Sequence, residues 1–344
     1  MLNIILSDDG TPFDGSSPHT GSLGGAETAF VNLAEALARS GNLVKVLNNC
    51  KVEKKINGVY WKNLSQLKYE KCDLYISNRS TILLSKVRYA KKRVLWLHNP
   101  ADYLLKFRNL RRLWWWKPTI IFSSNFHDRS YPSWAPKGGR EIIPYGISKE
   151  FLNCPPLITA PKPQAIFTSN PQRSLDWLLD IWKEKIFTKV PSAQLHLYSS
   201  PKTYGVFGKK KNEIMSKVLK KAKKFKKYGV VINDVLPKKQ LAKKIRKSRL
   251  LLYRGDTGET FCLALGESQS MGVPAVIQDI GCVAERIIPK KTGFIENIDD
   301  DFAQRAVAIL TNDNLWRSLH KNALKTQANW TWDNAAQSFL KLIN

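Results

Sequence analysis

Short apolar runs bounded by turn residues alternate along this chain with stretches whose apolar residues return every three or four positions. Residues 3–6 predict a buried strand, and 7–25 form a long polar loop rich in Gly, Ser, Asp and Pro. Residues 26–39 carry Phe30, Leu33, Ala34 and Leu37 at helical spacing, and 43–47 predict the next strand. Further strands are expected at 74–76, 94–97, 120–122 and 142–143, each followed by polar or turn residues. Prolines then cluster between residues 148 and 163, a composition that reads as an interdomain linker. Beyond them the alternation restarts, with strands at 165–168, 194–198, 230–232, 250–253, 275–277 and 293–295 and helices at 175–186, 213–227, 238–247 and 261–271. Strands alternating with helices predict parallel sheets whose carboxyl-end loops carry ligand contacts. Two α/β units in series are expected, 1–153 and 160–329, with a ligand cleft between them. The last helix, about 330–344, is expected to return to the first unit.

Composition supports a packed protein: 43% of the residues are hydrophobic and 10% aromatic, which disfavours disorder. Five cysteines, an odd number at wide spacing with no C-x-x-C pair, predict neither a disulfide framework nor a zinc site; a reducing cytoplasm is the default. The first residues are too short an apolar run for a signal peptide, and no segment reaches the roughly 20 apolar residues that span a bilayer. The net charge of +27 favours anionic partners, whether nucleic acid, lipid headgroups or a phosphorylated substrate, unless the lysines simply solvate the surface.

Residues 254–272 hold the densest candidate chemistry. Glu259 lies where the strand 250–253 hands over to a helix, and Glu267 follows eight positions later inside that helix. A first helical turn offers free N–H groups to a phosphate, and the carboxyl edge of an open α/β sheet is where ligands bind. The alternative is a first-turn dipole partner and a solvated helix residue. Gly24-Gly25 opens the helix after the first strand and would let backbone approach a ligand, but the turn lacks the G-x-G-x-x-G pattern of dinucleotide enzymes. His98 falls on the same kind of edge after residues 94–97.

Several ordered motifs resemble the retaining glycosyltransferases of family 4. They are Gly24-Gly25-Ala26-Glu27, Trp96-Leu97-His98-Asn99, Ser124-Asn125-Phe126-His127, Ile143-Pro144-Tyr145-Gly146-Ile147, Arg173-Ser174-Leu175-Asp176 and the E-x7-E pair Glu259 and Glu267 with Gly272-Val273-Pro274 after it. The resemblance covers essentially the whole chain and implies a GT-B fold, two Rossmann-like domains with parallel sheets facing a central cleft. It implies that Glu267 meets the ribose of a nucleotide-sugar donor, Glu259 the donor sugar, and the amides of Phe261, Cys262 and Leu263 the sugar or diphosphate. Arg173 matches the cation at the diphosphate, His98 a histidine near the donor sugar, and Gly25, with Gly24 beside it, a glycine near the phosphates. A second basic residue of the family is missing, since Thr168 holds its place; Lys202 is a candidate substitute. His98, Arg173 and Glu259 are the expected catalytic residues. No metal and no cofactor are expected, the nucleotide sugar being a substrate.

Two further stretches bear on partners. Arg108, Arg111, Arg112, Trp114, Trp115, Trp116 and Lys117 mix cations with aromatics, as segments at an anionic membrane surface do, and three adjacent tryptophans cannot all face one core from a helix. The lysine-dense helix 213–227 has an apolar stripe, Ile214, Met215, Val218, Leu219, Ala222 and Phe225, expected to pack on the second sheet. The run Asp299-Asp300-Asp301 resembles a metal-binding D-x-D, but ahead of a helix predicted from Phe302 it fits capping and dipole compensation better. The expectation is a metal-independent, retaining hexosyltransferase-type enzyme, cytoplasmic or peripheral on the inner membrane face, acting on a lipid or envelope glycan, with no specific nucleic-acid partner. The competing readings are a nucleotide-sugar epimerase of the same architecture and a non-catalytic basic protein that binds membrane or nucleic acid.

Overall fold

The computed structural model of the chain describes residues 1–20, 23–66, 71–199, 209–327 and 329–343. The chain divides into two units, Met1–Gly146 together with Trp330–Asn344, and Ile147–Asn329. In the first, the elements in order are β1 (Asn3–Ser7), α1 (Ser17–Thr20), α2 (Gly25–Arg39), β2 (Leu43–Asn48), β3 (Lys54–Ile56), β4 (Val59–Asn63), β5 (Lys71–Asn78), β6 (Tyr89–Trp96), α3 (Phe107–Trp116), β7 (Thr119–Phe122), α4 (Asn125–Arg129) and β8 (Gly139–Ile142). Their sheet runs β3-β4-β2-β1-β5-β6-β7-β8, parallel except where β3 pairs antiparallel with β4. The order reverses between β1 and β5, the kind of switch point at which doubly wound sheets hold ligands.

The hairpin β3–β4 is absent from the elements expected from hydrophobic pattern. Its signal was Asn57-Gly58, both at positive φ, which is the requirement of a tight two-residue hairpin turn. Trp61 on β4 is buried against Phe13, ring centroids 6.0 Å apart.

In the second unit, β9 (Gln164–Phe167), α5 (Leu175–Ile181), β10 (Gln194–Tyr198), α6 (Lys209–Lys224), β11 (Val230–Asn233), α7 (Lys238–Arg246), β12 (Leu250–Tyr253), α8 (Leu263–Ser270), β13 (Ala275–Ile277), β14 (Gly293–Ile295), α9 (Asp299–Thr311) and α10 (Asp313–Gln327) follow in turn. The sheet is parallel throughout, in the order β11-β10-β9-β12-β13-β14, with its switch point between β9 and β12. Strand β12 has all four residues buried, as a central parallel strand covered on both faces must. On α6 the buried stripe is Met215, Val218 and Ala222, whereas Ile214 is exposed, so the inward face is narrower than the sequence suggests.

The proline-rich stretch before β9 is fastened to this unit. Arg246 donates to the Pro155 carbonyl, His320 Nε2 accepts from Leu157 N at 2.8 Å, and Arg249 donates to Pro161 O at 3.2 Å. Helix α9 opens at Asp299, not at Phe302, and its N-cap is Ile298, which offers no side-chain cap. The three aspartates therefore fill the first turn, where they offset the helix dipole; the capping role expected of them is not there. Asp299 accepts from Trp177 Nε1 (3.2 Å) and Gln278 Nε2 (2.9 Å), and Lys185 donates to Asp300 at 2.5 Å. Side-chain partners thus hold two of the three.

The last helix, α11 (Trp332–Lys341), packs on α2 of the first unit, with Arg39 and Asp333 paired at 2.7 Å. Trp332 and Phe339 stand edge-on to Trp96, centroids 6.5 and 5.4 Å away. At Gly146 a Cβ would run into the backbone of Trp332, so the glycine of the Pro144-Tyr145-Gly146 motif is needed for close approach of chain to chain.

Candidate functional site

At the switch point of the second unit, the turn after β9 presents Arg173 and the turn after β12 presents Asp256 and Glu259. Arg173 Nη1 pairs with Asp256 Oδ1, and the Arg173 guanidinium also feels the Glu259 carboxylate. Burial alone would lower the Arg173 pKa, but Glu259, Tyr253 and Asp256 outweigh it and hold the group above its ordinary value. Glu259 is fixed by neighbours: Tyr253 OH donates to its Oε2 at 2.8 Å, and the Cys262 thiol also hydrogen-bonds it. With its proton so used, the Tyr253 hydroxyl accepts from Ser169 Oγ at 3.1 Å. Burial pushes the Glu259 carboxyl above its usual range, while Arg173 and the two hydrogen bonds pull it back in part.

Both helices that start here begin from non-glycine residues in the left-handed region, Ser174 (φ 59°) before α5 and Cys262 (φ 64°) before α8. Strained backbone of this kind concentrates at functional sites. Among the described residues no side-chain oxygen caps α8; the N-cap Cys262 sulfur takes only the Leu265 amide, which leaves the amides of Leu263 and Ala264 at the positive end of the helix dipole. Phe261 and Cys262 are buried and Leu263 half-buried; Phe261 and Leu263 have no polar side-chain atoms to offer, while the Cys262 thiol is turned to Glu259.

Glu267 is not a solvated helix residue. It is 7% exposed, and Lys238 Nζ at the start of α7 donates to its Oε1 at 2.6 Å. The same ammonium reaches Ser148 Oγ at 3.2 Å and lies 5.5 Å from the centroid of the Phe151 ring. Lys238 is a site residue the sequence reading missed, one lysine in a run of basic residues with no motif to mark it. Thr168, at the place where the resemblance implies a second cation, has a buried hydroxyl, and Lys202 lies outside the described residues. Arg254, also unanticipated, adds a cation to this edge: it donates to Gln278 Oε1 at 2.8 Å and covers the Trp177 ring at 5.0 Å.

The switch point of the first unit holds a second network. Arg79 bonds Asp8 Oδ2 (2.8 Å) and Glu27 Oε1 (2.9 Å), and Asn78 Nδ2 donates to Asp8 Oδ2 at 2.5 Å. Asn78 Oδ1 must then accept from His98 Nε2–H, 2.6 Å away, which leaves His98 Nδ1 to accept from Tyr145 OH. His98 is thus a buried neutral imidazole held at both nitrogens; burial, then Arg79 and His127, keep its pKa well below the ordinary value. Gly24 is the N-cap of α2, where a Cβ would crowd Glu27, and Gly25 is exposed. His127 is a core residue: its Nδ1 accepts from Ser123 N (3.2 Å) and its Nε2–H donates to Asn99 O (2.8 Å).

On α3, Asn109 and Leu113 are buried, while Phe107, Trp114 and Trp115 are 80%, 61% and 71% exposed. Arg108, Arg111 and Lys117 are exposed with them and Arg112 is half-buried. Trp116 departs from the expected surface set. It packs on the core with the Arg93 guanidinium 4.6 Å from its ring, because position 116 falls on the same helical face as 109 and 113. Among the described residues no helix is long and apolar enough to cross a membrane, and no group of three or more His, Cys, Asp or Glu could hold a metal ion.

Residues 162–312 match the family described as Glycosyl transferases group 1. No curated protein matches the chain. Among solved structures, it is similar to a sucrose-phosphate synthase from Thermosynechococcus elongatus at 15% identity and TM-score 0.73, over 99% of this chain and 98% of that one. It is also similar to HepE from Anabaena, solved in complex with UDP-glucose, at 12% identity and TM-score 0.72 over 99% of both chains. A trehalose-6-phosphate synthase, OtsA, aligns at 13% identity and TM-score 0.74, over 99% of this chain and 98% of that one. The architecture is GT-B, as the motifs led us to expect, and the stretch that matches the glycosyltransferase group 1 model lies within the second unit.

Proposed function

We propose that this glycosyltransferase is a metal-independent, retaining enzyme that moves a sugar from a nucleoside-diphosphate donor to a lipid or envelope glycan at a membrane surface. The observation that carries the donor half of this reading is the meeting of Arg173 and Glu259 at the switch point of the second sheet, beside the start of α8. Glu267 stands farther along the same helix, buried and hydrogen-bonded. Departure of a nucleoside diphosphate builds negative charge on the leaving group, and fixed donors aimed at that charge lower the barrier most; one such donor is worth about 3 kcal/mol. Arg173 and the amides of Leu263 and Ala264 supply such donors from the chain itself. Glu259 is assigned to the sugar and Glu267 to the ribose hydroxyls, on the resemblance of their spacing to E-x7-E. The retaining course rests on that resemblance as well, and HepE, similar in fold, binds UDP-glucose.

The acceptor half rests on α3. An exposed face that pairs Phe107, Trp114 and Trp115 with Arg108, Arg111 and Lys117 suits an anionic bilayer, where aromatic rings sit at headgroup level. Calorimetric titration with UDP, GDP and ADP sugars, followed by a turnover assay on the donor that binds, tests the reading. Sugar transfer or slow donor hydrolysis is expected with one of them. Failure to bind any would overturn it, and conversion of the nucleotide-bound sugar into its epimer without acceptor would replace it.

A further inference from the structure

The Arg173–Asp256 pair has no place in the assignments above, and it poses an electrostatic difficulty for them. A guanidinium meant for a diphosphate is already engaged by a carboxylate, with Glu259 as a second negative neighbour. An entering diphosphate must therefore compete with carboxylate oxygens for the one guanidinium that they already engage. The pair is also accessible, with side-chain exposures of 28% for Arg173 and 37% for Asp256, so an anion from solvent can reach it.

Asp256 is not there by chance of side-chain rotation. Its Oδ1 accepts from Gly258 N at 2.8 Å and its carbonyl accepts from Glu259 N at 3.0 Å, so the turn itself presents the carboxylate. Gly255 (φ 93°) and Gly281 (φ 74°) pack this turn against the loop after β13, with Gly281 directly on the Asp256 carbonyl, where a Cβ would not fit. The backbone is clamped from both sides, and the carboxylate is aimed at Arg173.

We infer that Asp256 is a built-in competitor for Arg173, an internal anion that the diphosphate must displace, so that it weakens the hold on the donor and hastens release of the nucleoside diphosphate product. The inference rests on the donor reading given above. Displacement exchanges one anion for another at Arg173, without bond making or breaking, and frees Asp256 to turn toward solvent while its backbone stays fixed.

The experiment compares wild type with D256N, which keeps an oxygen for the Gly258 amide but removes the charge, using inorganic pyrophosphate and UDP, GDP and ADP as probes in calorimetry. D256N should bind pyrophosphate and the preferred nucleoside diphosphate about five- to tenfold more tightly, release the nucleotide more slowly in stopped flow, and lose affinity more steeply with salt. The double variant R173A/D256N should lose that gain. Equal affinity in wild type and D256N overturns the inference. Weaker binding by D256N also overturns it, since Asp256 would then position Arg173 and not compete for it. If D256N melts well below wild type, D256S is judged by the same comparison. If wild type and variant both bind none of the four probes, the donor reading fails and takes the inference with it; binding by wild type without a gain in the variant sinks the inference alone.

Discussion

Replacing Lys238 by methionine tests whether the second unit depends on one ion pair to keep Glu267 inside. The lysine donates to Glu267 Oε1 at 2.6 Å, and the carboxylate side chain is only 9% exposed while that of the lysine is 29% exposed. Methionine keeps an apolar stem beside Phe151 but removes the charge, leaving a carboxylate that water reaches poorly. Breaking a fully buried pair costs roughly 3–5 kcal/mol and breaking an exposed one roughly 0–1 kcal/mol. With one partner buried and the other partly solvated, we expect a loss of about 2 kcal/mol. At roughly 2–4 °C per kcal/mol for a domain of this size, the second unit should melt about 4–8 °C lower. Urea unfolding at pH 7 gives the free energy directly, and the double variant Lys238→Met/Glu267→Gln should recover most of it, because a neutral amide no longer needs a cation. A single-variant loss under about 0.5 kcal/mol, or a double variant no better than the sum of the singles, would refute the argument.

Three further outcomes are expected. His127 has its pKa pulled down to about 4 by burial, so it stays neutral in the fold while the unfolded chain takes up a proton near pH 6.5. Its contribution, about 3 kcal/mol, is full above pH 6.5 and lost as pH falls toward 4, and His98 acts with the same sign; urea titrations of His127→Gln should show a shallower acid loss than wild type. Glu259 has the opposite sign, since burial raises its pKa. Stability is lost as pH climbs from the unfolded value through the folded one, so Glu259→Gln should be at least as stable as wild type at pH 7 while abolishing turnover, and a variant with full turnover would remove Glu259 from the mechanism. Trp114→Ser/Trp115→Ser should reduce co-flotation with anionic liposomes about tenfold or more at low salt while leaving the melting temperature within about 2 °C, because both rings are exposed; unchanged flotation would dismiss α3 as a membrane contact.

Much of the fold could be read from the chain because the signals were local. Buried parallel strands such as β12 and β13 are continuous apolar runs, and Gly and Asp follow their carboxyl ends, so the edge that carries Glu259 is marked in the sequence itself. The hairpin β3–β4 escaped because its strands are short and basic, although Asn57-Gly58 announced the turn. In α3 the mix of cations and aromatics points to a surface segment, but that Trp116 alone of the three tryptophans turns inward depends on its register with Asn109 and Leu113.

The sequence by itself determined the alternation of the main strands and helices, the E-x7-E spacing, and the excess of positive charge, since each is a property of neighbours along the chain. Only the tertiary structure decided what faces each charged group. Lys238 lies 29 positions from Glu267, and Asp256 lies 83 from Arg173. Such pairs form because the sheet order reverses between β9 and β12 and brings distant turns to one edge, and no local pattern records which carboxylate will meet which cation there. The same physics separates the two histidines: both follow apolar runs, yet His127 is closed within the core by Ser123 and Asn99, while His98 is tied through Asn78 to the charged edge of the first sheet.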